Sequence, residues 1–239
     1  MRNRFANTLD NVVRFSQTLT ALEKRSSGIP GMGLVEGYTG AGKTTTVVRE
    51  LNQRNGIYVR ANSVWTPSAM YRALLHELGI SPLNSAAKML DAAVGSLLES
   101  GRPVFVDEAD YLLKGGMLES LRDLHDLTGV PVVLIGMEGL SRKIKHRPQL
   151  TRRISQWVEF QRASMDDARI LADTCCEVEV GDDLLLLLHQ QAKGSVGQMI
   201  VGLSRIEAYA QAQPQGGWTK ISLKQWKRND AELLLQQSA

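Results

Sequence analysis

Two clusters in this 239-residue chain combine residue types and spacings that could do chemistry. The first is Gly37-Tyr38-Thr39-Gly40-Ala41-Gly42-Lys43-Thr44, which fits G-x-x-x-x-G-K-[ST], with Thr45 directly behind it. Glycines at this spacing let consecutive backbone N–H groups turn inward around phosphate oxygens, and a helix opening behind them adds partial positive charge. The Lys43 ammonium is then placed to reach β- and γ-phosphates, and the Thr44 hydroxyl to hold Mg2+. The second cluster is Val104-Phe105-Val106-Asp107-Glu108, an apolar run closed by two carboxylates. At the C-terminal end of a buried strand, Asp107 suits a contact to Mg2+, direct or through water. Glu108 suits orienting and deprotonating an attacking water. ATP with Mg2+ is the cofactor pair that this chemistry implies.

Positioning these groups needs a strand before the glycine turn and a helix after it. Residues 32–36 are short and apolar enough for a buried strand, and residues 44–52 read as a helix. Further strands are expected at 57–60, 103–106 and 132–135, with helices near 66–78, 84–99 and 117–127. Thr66 before Pro67 is a strong helix start, because proline at the first helical position loses no hydrogen bond. Strands alternating with helices imply a parallel sheet covered on both faces. A helix at about 7–24 precedes the sheet, and the rhythm changes after Phe160. There Ser164-Met165-Asp166-Asp167 has the form of a capping box and opens helical segments at 166–175, 182–192, 196–212 and 222–237. The expected fold class is α/β, a P-loop parallel sheet flanked by helices and followed by a small helical lid. The expected divisions are an N-terminal helical segment (1–30), a nucleotide-binding domain (31–162) and a lid with a C-terminal tail (163–239).

Composition sets outer bounds. Hydrophobic residues make up 43% and charged residues 22%, the balance of a globular protein able to bury its own core. Cys175 and Cys176 are adjacent, a spacing that suits neither a metal site nor a bridge, and the four histidines form no ligand pattern. The apolar run Leu184–Leu188 is too short to span a bilayer, and the expected location is cytoplasmic. Net charge is only +3, yet residues 139–158 contain no acid and six cations: Arg142, Lys143, Lys145, Arg147, Arg152 and Arg153. The rest of the chain is therefore mildly acidic, and these residues form a local cationic stripe.

The glycine-rich motif (GYTGAGKTTT, 37–46), the acidic strand (VFVDEAD, 104–110), the strand VVLIG at 132–136 and the basic stretch resemble the AAA+ ATPases. Within them they are most similar to the transposition-regulator branch, which contains the B protein of phage Mu and TnsC-type target selectors. Trp65-Thr66-Pro67 and Arg152-Arg153-Ile154 add to that likeness, which runs over about residues 5–212. The resemblance implies a homo-oligomer, ring or helical filament, assembling with ATP on double-stranded DNA and delivering target DNA to a transposase. It implies that Arg152 or Arg153 acts in trans on a neighbour's γ-phosphoryl. Two departures stand out. Gly136-Met137-Glu138 puts no polar sensor residue directly after the fourth strand, and Gly194-Ser195-Val196-Gly197-Gln198 has no arginine where the lid would supply one. ATP binding should persist while hydrolysis is slow or needs a partner.

Several residues keep two readings. Arg142, Lys143, Lys145 and Arg147 suit sequence-independent contact with DNA phosphates, or else a solvated face or subunit interface. Lys220, Lys224, Lys227 and Arg228 surround Trp226, which at helical spacing suits packing. Asn62 either restrains the catalytic glutamate or makes an ordinary turn, and Trp65 either stacks on a base or packs. The alternative function is an AAA+ ATPase that binds no DNA and energises a protein assembly, or a nucleotide-gated scaffold with little turnover.

Overall fold

The computed structural model describes residues 1–2, 4–214, 217–227 and 233–234. Its chain contacts divide it into two units: residues 14–38 with 43–160, and residues 1–13 and 39–42 with 161–239.

The larger unit is built on five parallel strands, β1 (Met32–Gly37), β2 (Ile57–Arg60), β3 (Val104–Asp107), β4 (Val132–Ile135) and β5 (Ile154–Phe160), in the order β2-β3-β4-β1-β5. Val104–Asp107 and Val132–Ile135 are buried along their whole length, which is why they read as continuous apolar runs rather than alternating ones. Helix α1 (Asp10–Glu23) leads into β1, and α2 (Lys43–Arg54) follows the glycine turn. Helices α3 (Pro67–Glu77) and α4 (Ala86–Ser100) fill the crossover from β2 to β3. Thr66 caps α3 by accepting the Ala69 N–H at 3.2 Å, with Pro67 at the first helical position. Helix α4 stops at Gly101, whose φ of 63° is the left-handed conformation that glycine adopts without strain.

A 3-10 turn (Ala109–Leu113) and α5 (Met117–Thr128) carry the chain to β4. Two short helices, α6 (Leu140–Lys145) and α7 (Pro148–Thr151), carry it on to β5. A large core cluster in this unit runs from Met32 and Leu34 through Leu74, Val104, Val106 and Leu134 to Ile154, while the alternating Val35, Phe105, Val133 and Ile135 are buried as well.

Strand β5 is an element the sequence pattern did not signal. It lies at the sheet edge, and its register on β1 slips by one residue between Met32 and Gly33, opposite Ile154 and Gln156. The bulge and the polar Ser155 and Gln156 blur the two-residue period that marks a half-buried strand.

The smaller unit holds α8 (Met165–Cys175), β6 (Glu179–Val180), α9 (Asp182–Ala192), α10 (Val196–Gln211), β7 (Lys220–Ile221) and α11 (Leu223–Trp226). The capping box at Ser164 and Asp167 forms in both directions. Trp226 is buried and stacks edge-on against Tyr209, 5.4 Å between centroids, which is the packing role its spacing suggested. Most of the expected last helix, 222–237, and with it Arg228, lies outside the described residues. Among the described residues no helix is long and apolar enough to cross a membrane.

Candidate nucleotide site

The sheet order explains how two motifs 60 residues apart meet. Strands β1 and β3 flank β4, so the turn after β1 and the acids that end β3 emerge at the same carboxyl edge, where open parallel sheets bind ligands. Gly37 ends β1 against β5: a Cβ there would sit 2.9 Å from the Phe160 carbonyl oxygen and Cβ. Glycine is thus required at Gly37 by backbone packing, independently of any phosphate. Gly40 and Gly42 both have φ of 84°, the left-handed region that turns successive N–H groups inward. Within the smaller unit the Gly197 N–H donates to Gly40 O at 3.1 Å, and a Cβ on Gly40 would meet Ser195 Oγ at 2.7 Å. Ser195 of that stretch also donates its hydroxyl to Gly40 O at 3.4 Å, and a Cβ on Gly42 would lie 3.7 Å from Val196 Cγ1.

Lys43 Nζ donates to Gly37 O at 2.6 Å and Tyr38 O at 2.9 Å, so the ammonium is folded back onto the end of β1. Burial lowers its pKa below the ordinary lysine value, while Asp107, Glu108 and Asp110 pull the other way. The Thr44 hydroxyl donates to Asp107 Oδ2 at 3.0 Å. Asp107 is 3% exposed, and its other oxygen accepts the Glu108 N–H at 2.9 Å. One hydroxyl and one carboxylate side by side are hard oxygen donors of the kind Mg2+ takes. Among the described residues there is no cluster of three or more His, Cys, Asp or Glu to cage a metal. The donor set fits an ion that completes its shell with nucleotide phosphates and water. Thr44 and Asp107 would hold it, and it would neutralise phosphate charge.

Glu108 sits in the left-handed region at φ 56°, ψ 37°, where a non-glycine side chain is strained and aimed away from the strand direction. Its carboxylate pairs with Arg60 Nη2 at 3.1 Å. Arg60, not Asn62, therefore contacts the glutamate; Asn62 Oδ1 instead accepts the Val64 N–H at 3.1 Å in a local turn. Trp65 packs partly buried against the main core. Tyr58, two residues before Arg60, donates its hydroxyl to Asp107 Oδ2 at 2.9 Å. Burial and the adjacent carboxylate push the Tyr58 phenol well above its usual pKa, so it remains a donor.

Gly136 shows why no polar side chain follows β4. A Cβ there would lie 2.5 Å from Asp110 Oδ2 and against Leu140 Cδ2. Asp110 fills the space, accepting the Met137 N–H at 2.7 Å. Glu36, just before the cradle, accepts the Ser141 N–H at 2.7 Å and the Ser141 hydroxyl at 2.6 Å, anchoring the start of α6. Tyr58, Arg60, Asp110 and Glu36 were all missed by sequence reasoning. A usable signal existed for the first two: polar residues at i and i+2 on one face of the strand beside the acidic strand.

The six cations of the acid-free stretch separate on the fold. Arg142, Lys143 and Lys145 are exposed on α6, with Lys143 Nζ 3.4 Å from Asp110 and Lys145 Nζ 5.8 Å from the Trp157 ring centroid. Arg147 is half-buried, bonds Glu119 at 2.5 Å and also the Leu113 carbonyl, and so ties the start of α7 to α5. Arg153 binds Asp126 through two nitrogens at 2.7 and 3.0 Å, which holds the Asp126 carboxyl below its usual pKa. Arg152 is exposed and has no ion pair among the described residues. Both arginines precede Ile154, which pairs with Met32 at the start of β1; Gly37 lies at the other end, roughly 17 Å away at 3.3 Å per residue. Neither can reach the cradle of its own chain along that strand.

Known proteins agree with this geometry. Residues 28–144 match the family model described as "AAA domain". A protein of Staphylococcus aureus described as "Potential ATP-binding protein" is 35% identical over 83 residues, covering 35% of this chain and 30% of that protein. Among solved structures, Cdc6p of Pyrobaculum aerophilum has a TM-score of 0.70 at 17% identity, over 99% of this chain and 71% of that one. The ORC2 protein of Aeropyrum pernix, in ADPNP–ADP complexes, has a TM-score of 0.69 at 18% identity, over 95% and 69%. The ORC1 protein of Aeropyrum pernix, in complex with DNA, has a TM-score of 0.62 at 19% identity, over 87% and 61%. This chain thus spans under a third of the curated relative and about three fifths of that ORC1 chain. The fold is that of the P-loop AAA+ structures it matches, a parallel five-stranded sheet flanked by helices.

Proposed function

We propose that this chain is an Mg2+-dependent ATPase that assembles with copies of itself on double-stranded DNA and gates that assembly through ATP at subunit boundaries. One observation carries the reading. The cradle and the Asp107–Glu108 pair lie at one end of the sheet, while Arg152, without an ion pair among the described residues, stands at the other, which supports a transition-state cation supplied by a second subunit. In this reading Lys43 binds the β- and γ-phosphates, Thr44 and Asp107 hold Mg2+, and Glu108 orients the water. Arg142, Lys143 and Lys145 supply sequence-independent contacts to DNA phosphates, which the ORC1 structure in complex with DNA supports by analogy of fold. Regulation of transposition, with a transposase as partner, is supported by the likeness of the sequence motifs to Mu B-type and TnsC-type proteins.

Duplex binding tests this reading, measured with ATP, with ADP and without nucleotide between 50 and 200 mM salt. Binding should require ATP, and its log–log salt slope should be about −3 per subunit for three phosphate contacts. Glu108→Gln should keep ATP and hold the chain on DNA longer, because the water is no longer deprotonated. Equal binding without nucleotide would refute ATP gating, and no binding at all would leave an ATPase that energises a protein assembly instead.

A further inference from the structure

Edge strand β2 presents Tyr58 and Arg60 on one face, and each holds one of the two acids at the C-terminal end of β3. The division is chemical. A cation meets the acid suited to water activation, and a neutral hydroxyl meets the acid suited to the metal. Asp107 Oδ2 accepts two hydroxyl protons, from Tyr58 at 2.9 Å and from Thr44 at 3.0 Å, while Oδ1 accepts the Glu108 N–H at 2.9 Å.

We infer that Tyr58 is a positioning residue for the Mg2+ site, acting through Asp107 on Thr44. A threonine hydroxyl has one proton and two lone pairs. With its proton fixed on Asp107, Thr44 turns its lone pairs outward, the orientation a hard cation needs. That arrangement holds only while the carboxylate keeps its rotation, and the terminal torsion of an aspartate is broad when unsupported. Tyr58 supplies the second donor on the same oxygen and locks the plane. Because the phenol is neutral, it does so without cancelling the carboxylate charge that the metal requires. A lysine or arginine at this position would compete with the metal for Asp107; the arginine of this strand is instead directed at Glu108. The phenol reaches Asp107 from half-buried Tyr58, and Asp107 itself is almost wholly buried, so water is a poor substitute for the lost donor.

This inference rests on the Mg2+-nucleotide reading above, and the test separates the two. The affinity of full-length wild type and Tyr58→Phe for a fluorescent non-hydrolysable ATP analogue is measured in EDTA and across a Mg2+ titration. Both chains should bind equally, within about twofold, in EDTA. The Mg2+ concentration giving half of the affinity enhancement should rise roughly tenfold or more in Tyr58→Phe, the loss expected for one hydrogen bond to a charged group. An unchanged Mg2+ titration in Tyr58→Phe beside a responsive wild type overturns the role of Tyr58 alone. An equal loss of affinity with and without Mg2+ also overturns it, since that is what a merely structural side chain would give. A wild type that binds no nucleotide, or binds it without regard to Mg2+, overturns both readings.

Discussion

Arg152 and Arg153 are neighbours in sequence with opposite circumstances, and exchanging each for alanine separates assembly chemistry from folding. Arg153 makes a bidentate pair with Asp126, both side chains being about a third or more exposed. Screening at such a position limits the pair to about 0.5–1 kcal/mol. For a chain of this size that corresponds to a fall in Tm of roughly 1–4 °C, with ATP turnover within a few-fold of wild type. Arg152 has no such partner among the described residues, so Arg152→Ala should leave Tm unmoved, within about 0.5 kcal/mol. Turnover in the assembled state should instead fall by about 10³-fold or more, the effect of removing a cation from the transferring phosphoryl. The strand geometry adds a stricter requirement. Because Arg152 lies at the far end of β1 from Gly37, the contribution proposed for it would be made in trans. Arg152→Ala and Lys43→Ala, each inactive alone, should therefore recover activity when mixed, since the second supplies Arg152 to the intact cradle of the first. Turnover is read by phosphate release over a titration of one variant into the other, with a maximum at intermediate ratios. No recovery at any ratio, or an Arg152→Ala chain with wild-type turnover, would refute the reasoning.

Two further expectations follow from buried groups. His125 accepts the Gly31 N–H on Nε2 at 3.1 Å, so its proton sits on Nδ1 and is donated to Val130 O at 2.8 Å. Burial holds its pKa below 6.5, so the unfolded chain takes up this proton first; the stability it contributes is full above about pH 6.5 and is lost as pH falls through the interval down to the folded value. His125→Leu should cost about 2–4 kcal/mol at pH 7.5 by orphaning two buried backbone groups, and should flatten that acid limb; urea midpoints across pH check both, and an unchanged limb would be contrary evidence. Gly136→Ala should cost about 1–3 kcal/mol, because its methyl group meets Asp110 and fully buried Leu140, and a wild-type urea midpoint would show that this site has room to spare.

What the sequence revealed follows from the range of the forces involved. The glycine turn, the helix start at Thr66-Pro67 and the Ser164 capping box are decided within a few residues, and each forms as its residues dictate. Strands β2 and β4 fall on the bounds that their residues indicate, and β4, buried along its whole length, needs no partner to be recognised. Strand β5 needed one. Its exposed Trp157 and Glu159 and its bulge make sense only beside β1 at an edge. The same limit hid Tyr58 and Arg60, whose roles depend on β2 lying next to β3, 48 residues further on for the Arg60–Glu108 pair.

Charge was the least legible property, and the reason sharpens the functional reading. A window along the chain counts cations where they occur but not the acids that folding brings to them. The stretch 139–158 contains no acid, yet α5 delivers Glu119 to Arg147 and Asp126 to Arg153, while the turn after β3 delivers Asp110 to Lys143. Half of the apparent stripe thereby has an acid nearby within the chain, although Lys143, 56% exposed and 3.4 Å from Asp110, stays open to solvent. Arg142, Lys145 and Arg152 remain without an ion pair among the described residues, and they stand at separate points: two on α6 and one at the start of β5. A polyanion track and a trans-acting arginine ask for just such a separation, because a single side chain cannot serve a DNA phosphate and a neighbour's γ-phosphoryl at once. Salt should accordingly weaken DNA binding more than it weakens turnover in assembled subunits, since α6 faces solvent whereas a finger inserted at a subunit boundary is screened far less.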